Sequence, residues 1–463
     1  MSYPPPRRSL RFVLAIVLLA MLSPIVAFLA WSRIEASRLD SAFDALEARD
    51  ESLDIHDFDR KPATGEQREA SHLYAQAMRL VVNEPPARPQ TMATAIEKLC
   101  SAPEAPSASA QVAVLEAFEA PHQQAFALLD RSTGLDAAGW EEADRPRRDS
   151  MEELRSVILG QLNAVRIARL ACTGQGDEAA RALLAGLRLQ RVSAPTSGRV
   201  AASTPHSLHA VLTFTSPDAS LLQKIQKEYE NAADEHSVAR RLRYLRAGWL
   251  YYALPGVVSD SPPGYMPARV SPLGAVAMRL ARPMRDHSIV RELREFDEAL
   301  VATGSPWPSK LDAATAITGR YRYTRSQSRR RGFFARLTRP YDSHRAATAL
   351  EGVVRDAAET LARTRASAAA VAVARHRQAH DGTLPVSLQA LIPEYLAAPP
   401  VDPYTGNELK YVHDGASYKV YGLGINRTDD GGRWDLNSDL QTSRRGDPPD
   451  VGIAVGHPPG RPN

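Results

Sequence analysis

The stretch ASAAAVAVARHRQAHDGTLPVSLQALIPEYL, residues 366–396, decides the architecture of the C-terminal part of this chain. It begins within an Ala-rich run that we expect to form one helix over residues 343–380, because alanine is the strongest helix former. Gly382 is predicted to end this helix, and Pro385 prevents the helix from restarting at once. Ser387 is placed to cap a short second helix.

A β-hairpin is predicted directly after this stretch. The segments LKYVH (409–413) and YKVY (418–421) have strand-like residues, and the dipeptide Asp-Gly at 414–415 stands between them. Asp-Gly between alternating strands is a strong hairpin signal. We therefore predict a small α+β module over residues 343–440, with a hairpin or short antiparallel sheet, followed by a disordered tail at residues 441–463.

The N-terminal region contains a candidate transmembrane helix, FVLAIVLLAMLSPIVAFLAW (12–31), without a charged side chain. About 20 helical residues cross a hydrocarbon core of roughly 30 Å. Three arginines lie within residues 1–11, so the positive-inside rule keeps this end cytoplasmic and exports the rest. A cleaved signal peptide is the alternative, since a basic start fits it too. We expect an uncleaved single-pass anchor in the inner (cytoplasmic) membrane, with the C-terminal bulk periplasmic or otherwise extracytoplasmic.

Residues 32–318 are predicted to form an extracytoplasmic, mainly α-helical body. Its clearest signal is a pair of amphipathic helices in residues 151–189, interrupted by a Gly-containing turn at 173–177. The pair fits an ordinary antiparallel helix pair or a single unit of the tetratricopeptide class. Six prolines between residues 254 and 283 predict a long irregular excursion within the body.

An Arg-rich segment, residues 319–342, is predicted to link the body to the C-terminal module. Two interpretations stay open, a solvated linker and a contact with lipid headgroups or envelope polymers. The net charge of +4 and the isoelectric point near 9.0 are a mild excess that argues for no particular partner. Nucleic-acid binders usually concentrate their charge far more strongly, so nucleic acid is not the partner that we expect. The segment's arginines are Arg320, Arg322, Arg325, Arg329, Arg330, Arg331, Arg336 and Arg339.

The chain has two cysteines, Cys100 and Cys172. In an oxidising compartment they could form a disulfide bond. Both lie in apolar, helix-like surroundings, where a buried thiol is equally ordinary. The sequence leaves these alternatives open.

The C-terminal module resembles the head of the major pseudopilin of type II secretion systems. The residues that carry this resemblance are HDGTLPVSLQALIPEYL, DPYTGNELKY and YGLGINRTDDGG, with the predicted hairpin between the last two. The module is also similar to the C-termini of uncharacterised membrane-anchored bacterial proteins that carry such a head after a helical region. The resemblance covers about residues 366–440. Pilins join their apolar helix directly to the head, whereas here the candidate anchor lies more than three hundred residues earlier, so we do not expect a pseudopilus.

The resemblance also implies a calcium site, because an acidic loop after the last strand of those pseudopilin heads binds calcium. The matching positions in this sequence are Asp429, Asp430, Asp435 and Asp439. Calcium takes six to eight hard oxygen ligands and tolerates irregular loops, so the chemistry is suitable. The alternative is a solvated acidic loop with Asx turns.

No residue pattern names a reaction. His376 and His380 have the spacing of a zinc pair, and His206 and His209 stand near serines, but neither pair comes with the further ligands or acids that catalysis needs. We therefore predict a membrane-anchored scaffold or interaction protein with a protein partner in the envelope, linked to secretion or envelope assembly, more readily than an enzyme. The alternative is an envelope hydrolase or polysaccharide-binding enzyme that uses the Pro-rich and Arg-rich segments.

Overall fold

The computed structural model describes residues 7–51, 65–81, 98–99, 108–135, 150–197, 204–232, 237–253, 272–328, 345–433 and 450–456. The protein is mainly helical and carries one small antiparallel sheet, as the sequence predicts. The helices are α1 Arg7–Glu47, α2 Gly65–Arg79, α3 Ala108–Glu119, α4 Gln123–Ser132, α5 Ser150–Cys172, α6 Gly176–Ser197, α7 Thr204–Phe214, α8 Ala219–Ala232, α9 Ser237–Ala253, α10 Pro272–Thr303, α11 Ser309–Ser328 and α12 Arg345–Ala379. The strands are β1 Lys410–His413, β2 Tyr418–Gly422 and β3 Val451–Val455.

Helix α1 is long and apolar enough to cross a membrane. Its most apolar 18-residue window has a mean hydropathy of 2.8, and none of that window is buried. The helix continues without interruption past residue 31 to Glu47, so the predicted anchor and the start of the predicted body are one helix.

The chain divides into two compact units. The first comprises Met1–Phe58, Leu242–Ala302 and Ala314–Glu351. Its core is a small apolar cluster in which Leu39 and Leu46 of α1 pack with Leu250, Ile289, Val290 and Leu293. The C-terminal part of α1 that contains Leu39 and Leu46 is therefore packed into this unit.

The second unit comprises Asp59–Arg241, Thr303–Ala313 and Gly352–Asn463. Helices α5 and α6 form a packed helical hairpin joined by a turn in which Gly174 has φ +79°. This hairpin is common to both interpretations of residues 151–189. Its Asn163 donates a hydrogen bond to the Ala182 carbonyl at 2.8 Å, which ties the two helices together.

The end of α12 follows the sequence prediction. Gly382 has φ +84°, and its N–H donates to the Arg377 carbonyl at 2.8 Å, which closes the last turn of the helix. Ser387 then caps the short 3-10 helix Leu388–Leu391, because its Oγ accepts a hydrogen bond from the Ala390 N–H at 3.3 Å. Glycine and serine thus act here as the local rules predict.

The predicted hairpin is confirmed. Strands β1 and β2 pair antiparallel, with Lys410 opposite Tyr421 and His413 opposite Tyr418. Asp414 organises the connecting turn by accepting hydrogen bonds from the Ser417 N–H at 2.8 Å and the Ser417 hydroxyl at 2.6 Å. Gly415 supplies the positive φ of +92° that the turn requires.

The prediction of a disordered tail at residues 441–463 is wrong for its middle part. Val451–Val455 form β3, which pairs antiparallel with β2 and gives a sheet of order β1-β2-β3. All five residues of β3 are buried. The module therefore continues beyond residue 440, because a short apolar run becomes a strand when the sheet and a helix cover it.

Two predicted irregular segments are also shorter than expected. The Pro-rich excursion at residues 254–283 overlaps α10, which starts at Pro272 and continues through Pro283. Pro272 is tolerated because it stands in the first turn, where the N–H it lacks has no partner, whereas Pro283 lies inside the helix and removes one of its hydrogen bonds. The Arg-rich linker at residues 319–342 overlaps α11, which ends at Ser328. Residues 254–271 and 329–344 lie outside the described part of the chain.

Candidate functional site

The candidate site is the loop that follows β2, residues 423–433, together with Asp450 at the start of β3. Two consecutive glycines give the loop its path, because Gly431 and Gly432 have φ +75° and +68°. A Cβ on Gly432 would lie 3.0 Å from the Tyr421 ring. The loop therefore packs closely on the face of β2 at a point where only glycine fits without a shift.

Asp450 is the buried acid of this site, with 1% of its surface exposed. Its Oδ2 accepts hydrogen bonds from the backbone N–H of Gly432 at 2.7 Å and of Asp430 at 3.0 Å. Its Oδ1 is buried and has no hydrogen-bond partner among the described residues. A buried carboxylate oxygen without a partner is costly, and a bound cation or a proton would relieve that cost.

Asp429 and Asp430 lie in the loop itself. Asp429 Oδ1 accepts hydrogen bonds from the Tyr421 hydroxyl at 3.1 Å and from the Gly431 N–H at 3.0 Å. Asp430 Oδ2 accepts a hydrogen bond from the Asn426 side-chain amide at 3.0 Å. Both side chains are thus oriented by neighbours within the head.

The electrostatics show that the three carboxylates are close enough to interact. The pKa of Asp450 is raised to about 6, mainly by burial and also by the charges of Asp429 and Asp430, against the two N–H groups that lower it. Burial and the hydrogen bond to Asp429 raise the pKa of the Tyr421 hydroxyl to about 12. A local excess of negative charge therefore surrounds Asp450, and a bound divalent cation would neutralise it.

The structure describes the positions of only half of the predicted aspartate set. Asp429 and Asp430 lie in the candidate site, whereas Asp435 and Asp439 fall in residues 434–449, outside the described part of the chain. Within the described ranges no group of three or more His, Cys, Asp or Glu side chains has an arrangement that would hold a metal ion as it stands. Calcium binding stays a prediction.

Sequence reasoning missed Asp450, because it assigned that residue to the tail. The available signal was the apolar run Val451–Val455 directly after it. The run alone could not identify its pairing partner, because β2 is distant in sequence.

The two histidine pairs have structural surroundings. The rings of His376 and His380 stack with centroids 3.9 Å apart and an interplanar angle of 9°. Ring-nitrogen lone pairs lie in the ring planes, so those of two stacked rings do not converge on one ion. His209 is buried, and its Nδ1 donates a hydrogen bond to the Ala454 carbonyl of β3 at 2.6 Å. The side chain of His206 lies outside the described set.

Cys172 is half-buried beside the cluster of Leu99, Leu115 and Val165. Cys100 lies outside the described residues. The disulfide alternative therefore stays a prediction.

A groove of about 480 Å³ lies beside β1 on the head. Its wall includes Val386, Leu409, Lys410 and Asp402. Asp402 is buried and accepts hydrogen bonds from the Tyr404 N–H, the Thr405 hydroxyl and the Leu423 N–H. This carboxylate therefore holds the turn at residues 402–406 to the end of β2.

The rim of the groove carries exposed apolar side chains. Val386 is 85% exposed. Val412 on β1 is 53% exposed and shares a strand face with the groove residue Lys410, because side chains two apart on a strand point the same way.

Comparisons of the chain with protein-family models, with curated proteins and with solved structures return no match.

Proposed function

We propose that this protein is a membrane-anchored scaffold or interaction protein of the bacterial envelope, in which α1 crosses the inner membrane once. Residues 1–11 carry Arg7, Arg8 and Arg11, which supports a cytoplasmic N-terminus and an extracytoplasmic helical body. The apolar window of α1 is fully exposed, and lipid would remove that surface from water. The specific process is expected to be secretion or envelope assembly.

The observation that carries the scaffold proposal is a continuous hydrophobic cluster that joins the head and the helices within the second unit. This core contains residues from α5 to α8, from α12 and from the sheet. Polar contacts reinforce it: Gln226 of α8 donates to the Tyr395 carbonyl at 2.7 Å, and Arg375 of α12 donates to Gln226 at 2.8 Å. The head is therefore rigidly mounted, so that a partner bound to it is held in a fixed orientation.

The partner is expected to contact the head at the groove beside β1. The rim there combines Val386 and Val412 with Lys410, an apolar surface with a polar edge. Such a mixture is typical of non-obligate protein interfaces. In this proposal the partner is a protein that buries the two valines.

Calcium would serve the head as a structural ion. Asp429, Asp430 and Asp450 offer hard carboxylate oxygens, and the partnerless Oδ1 of Asp450 fits the demand of such an ion. The ion would neutralise the local negative charge and hold the loop at residues 423–433 against β3. Calcium is thus proposed to stiffen the surface next to the groove.

The enzymatic alternative depended on the Pro-rich and Arg-rich segments. The greater part of both lies outside the described residues, and no described contact favours a hydrolase.

Site-specific photo-crosslinking of the full-length protein in membranes tests the scaffold proposal. A photoreactive amino acid is introduced in place of Val386 or Val412, and Val301 of α10, which is 79% exposed, is the matched control. We expect one discrete crosslinked protein band at both head positions and none at the control position. Equal crosslinking at all three positions, or none at either head position, would overturn the proposed contact surface.

A further inference from the structure

Helix α10 runs alongside the outer part of α1 in the first unit, in the same direction. His287 Nδ1 lies 3.3 Å from Glu35 Oε2, and further along α10 Asp297 Oδ2 lies 3.2 Å from Arg49, two residues after the end of α1. Residue numbers rise together on the two helices, so their chain directions are parallel. The apolar cluster of Leu39, Leu46, Ile289, Val290 and Leu293 lies between these two polar contacts.

The contact between His287 and Glu35 sets the position of the first half of α10 along the axis of α1. Glu35 comes only four residues after the end of the apolar run 12–31, which is about 6 Å along a helix. Helix α10 begins at Pro272, fifteen residues before His287, which corresponds to about 22 Å. Residues 272–286 therefore extend back from the level of Glu35 toward the level of the apolar run.

The sequence of this half-helix combines arginine with small and apolar residues. It reads PLGAVAMRLARPMRD and places an arginine at every third position, Arg279, Arg282 and Arg285, among small and apolar residues. Spacing by three keeps these arginines within one side of a helix. At a membrane surface, apolar side chains enter the lipid while arginine side chains extend their guanidinium groups to the headgroups.

The described side chains agree with that pattern. Leu280 is 58% exposed, and the side chains of Arg282 and Arg285 are 63% and 43% exposed. Arg33 is exposed, and the side chain of Arg38 on α1 is 54% exposed at the same level. Apolar and cationic surface thus stand together next to the candidate membrane span.

Ion pairs within the protein do not neutralise all of these arginines. Two carboxylates lie among these arginines, and both are buried, Asp286 at 1% exposure and Glu35 at 2%. Asp286 is shared by Arg282 at 3.5 Å and Arg285 at 2.9 Å, and Glu35 is shared by Arg38 at 2.9 Å and His287 at 3.3 Å. These two acids are buried, whereas the described side chains of Arg38, Arg282 and Arg285 are partly or largely exposed, so the charge that this group of residues exposes is cationic.

We propose that residues 272–286 are a second membrane-contacting element beside α1, in which residues 272–279 run toward the level of the apolar run while Arg282 and Arg285 lie at the headgroup level and bind anionic phospholipid. Leu280 enters the apolar side of the interface, while Arg282 and Arg285 extend their guanidinium groups to lipid phosphates. The element would fix the rotation and height of the first unit above the bilayer. This inference rests on the proposed anchoring by α1 and adds the lipid class and the residues that recognise it.

The experiment uses full-length protein in which Cys100 and Cys172 are replaced by serine and one new cysteine carries an environment-sensitive fluorophore. The labelled positions are Leu280, Val301 on the same helix as the aqueous control, and Leu19 in the apolar run as the membrane control; Val301 and Leu19 are 79% and 73% exposed. The protein is reconstituted into vesicles of phosphatidylcholine with or without phosphatidylglycerol. Quenching by spin-labelled lipid and by aqueous iodide is then measured.

We expect lipid quenching at Leu280 and Leu19 and iodide quenching at Val301. Lipid quenching at Leu280 should increase with phosphatidylglycerol and weaken at high salt. Arg282→Gln should reduce the preference for the anionic vesicles about fivefold, as one arginine at a charged surface implies. The exposed Arg181→Gln in the second unit is the charge-matched control and should leave the preference unchanged.

Two outcomes would overturn the proposals, and they differ. If Leu280 is quenched like Val301 while Leu19 is quenched by lipid, α1 spans the membrane but residues 272–286 do not touch it. If Leu19 is itself quenched by iodide, the anchoring by α1 fails, and this inference fails with it.

Discussion

Asp450 accepts a hydrogen bond from the backbone N–H of Gly432 at 2.7 Å, and this contact ties the start of β3 to the loop that follows β2. The same carboxylate has a second oxygen that is buried without a partner. Asp450 therefore connects these two segments of the head and also holds a buried carboxylate oxygen that lacks a hydrogen bond.

The first prediction concerns the pH dependence of the head in the presence of chelator. The pKa of Asp450 is about 6 in the folded protein, above its ordinary value of 3.8, so the folded protein holds this proton more tightly than the unfolded chain. The contribution of Asp450 to stability is therefore complete below about pH 4 and is lost as the pH rises through about 6, by on the order of 2 kcal/mol. Hydrogen exchange of residues 423–433 at several pH values measures it.

Asp450→Asn should remove this pH dependence. The amide oxygen still accepts from Gly432 and Asp430, and the uncharged amide carries no titrating group. The difference between wild-type and variant protein is the readout, because other carboxylates titrate in both. Identical slopes would contradict the assigned role of Asp450.

Calcium should reverse the sign of this slope in the wild-type protein. Binding requires the charged carboxylates, so saturating calcium should slow hydrogen exchange in residues 423–433 more strongly at pH 7 than at pH 5. Asp450→Asn should abolish this protection. Protection by calcium that is equal in both proteins would contradict the proposed ligand role of Asp450.

The second prediction concerns a buried tyrosine beneath the hairpin. Tyr418 is 1% exposed, and its hydroxyl donates a hydrogen bond to the Ala370 carbonyl of α12 at 2.9 Å. Tyr418→Phe should lower the free energy of unfolding by about 1 kcal/mol, the net value of a neutral hydrogen bond. Thermal denaturation of the detergent-solubilised protein measures the change.

Tyr411→Phe is the matched control for this change. The hydroxyl of Tyr411 is buried and makes no hydrogen bond with the described residues, and its ring packs at the edge of the same core. Removing it should not destabilise the protein and should stabilise it by a few tenths of a kcal/mol, about 0.5 at most. A larger loss at Tyr411 than at Tyr418 would contradict the assigned hydrogen bond.

The third prediction tests the pairing of β3. A Cβ on Gly452 would lie 2.2 Å from the Val420 carbonyl oxygen and 2.5 Å from the Tyr421 Cβ. Gly452→Ala should therefore separate β3 from β2 and increase hydrogen exchange in both strands. Gly352→Ala, at a helical position with no atom within 4 Å of the new Cβ, should instead stabilise the protein by about 0.5–1 kcal/mol. Unchanged exchange in β2 after Gly452→Ala would exclude the three-stranded sheet.

The fourth prediction concerns a buried ion pair among the helices of the second unit. Glu119 at the end of α3 is 1% exposed and accepts two hydrogen bonds from Arg169 of α5, at 2.7 and 2.8 Å. The hydrogen bond to Glu119 is the main cause that raises the pKa of Arg169. Glu119→Gln should cost about 2 kcal/mol, since hydrogen bonds to charged groups are worth roughly 1.5–3 kcal/mol.

Glu178→Gln is the control, because Glu178 and Arg181 form an exposed pair at 3.5 Å within one helix. Its cost should stay below about 0.5 kcal/mol and vanish at high salt. Equal costs at the two positions, measured by chemical denaturation, would show that burial does not set the strength of the Glu119 pair.

The sequence by itself determined the local elements of this protein. The apolar run of α1, the stop of α12 at Gly382, the cap at Ser387 and the Asp-Gly turn of the hairpin all follow from residues close together in the chain. Helix periodicity, glycine at positive φ and side-chain caps act over a few residues, so they can be recognised without the rest of the fold.

Only the tertiary structure decided the third strand, the placement of Asp450 and the parallel course of α1 and α10. Val451–Val455 become a strand because β2 offers its edge and His209 holds Ala454 from the other side. Asp450 becomes buried because that pairing carries it to the loop at residues 423–433. These contacts join residues far apart in the chain. The free energy that stabilises them comes from burial and strand pairing, which a short segment of sequence does not reveal by itself.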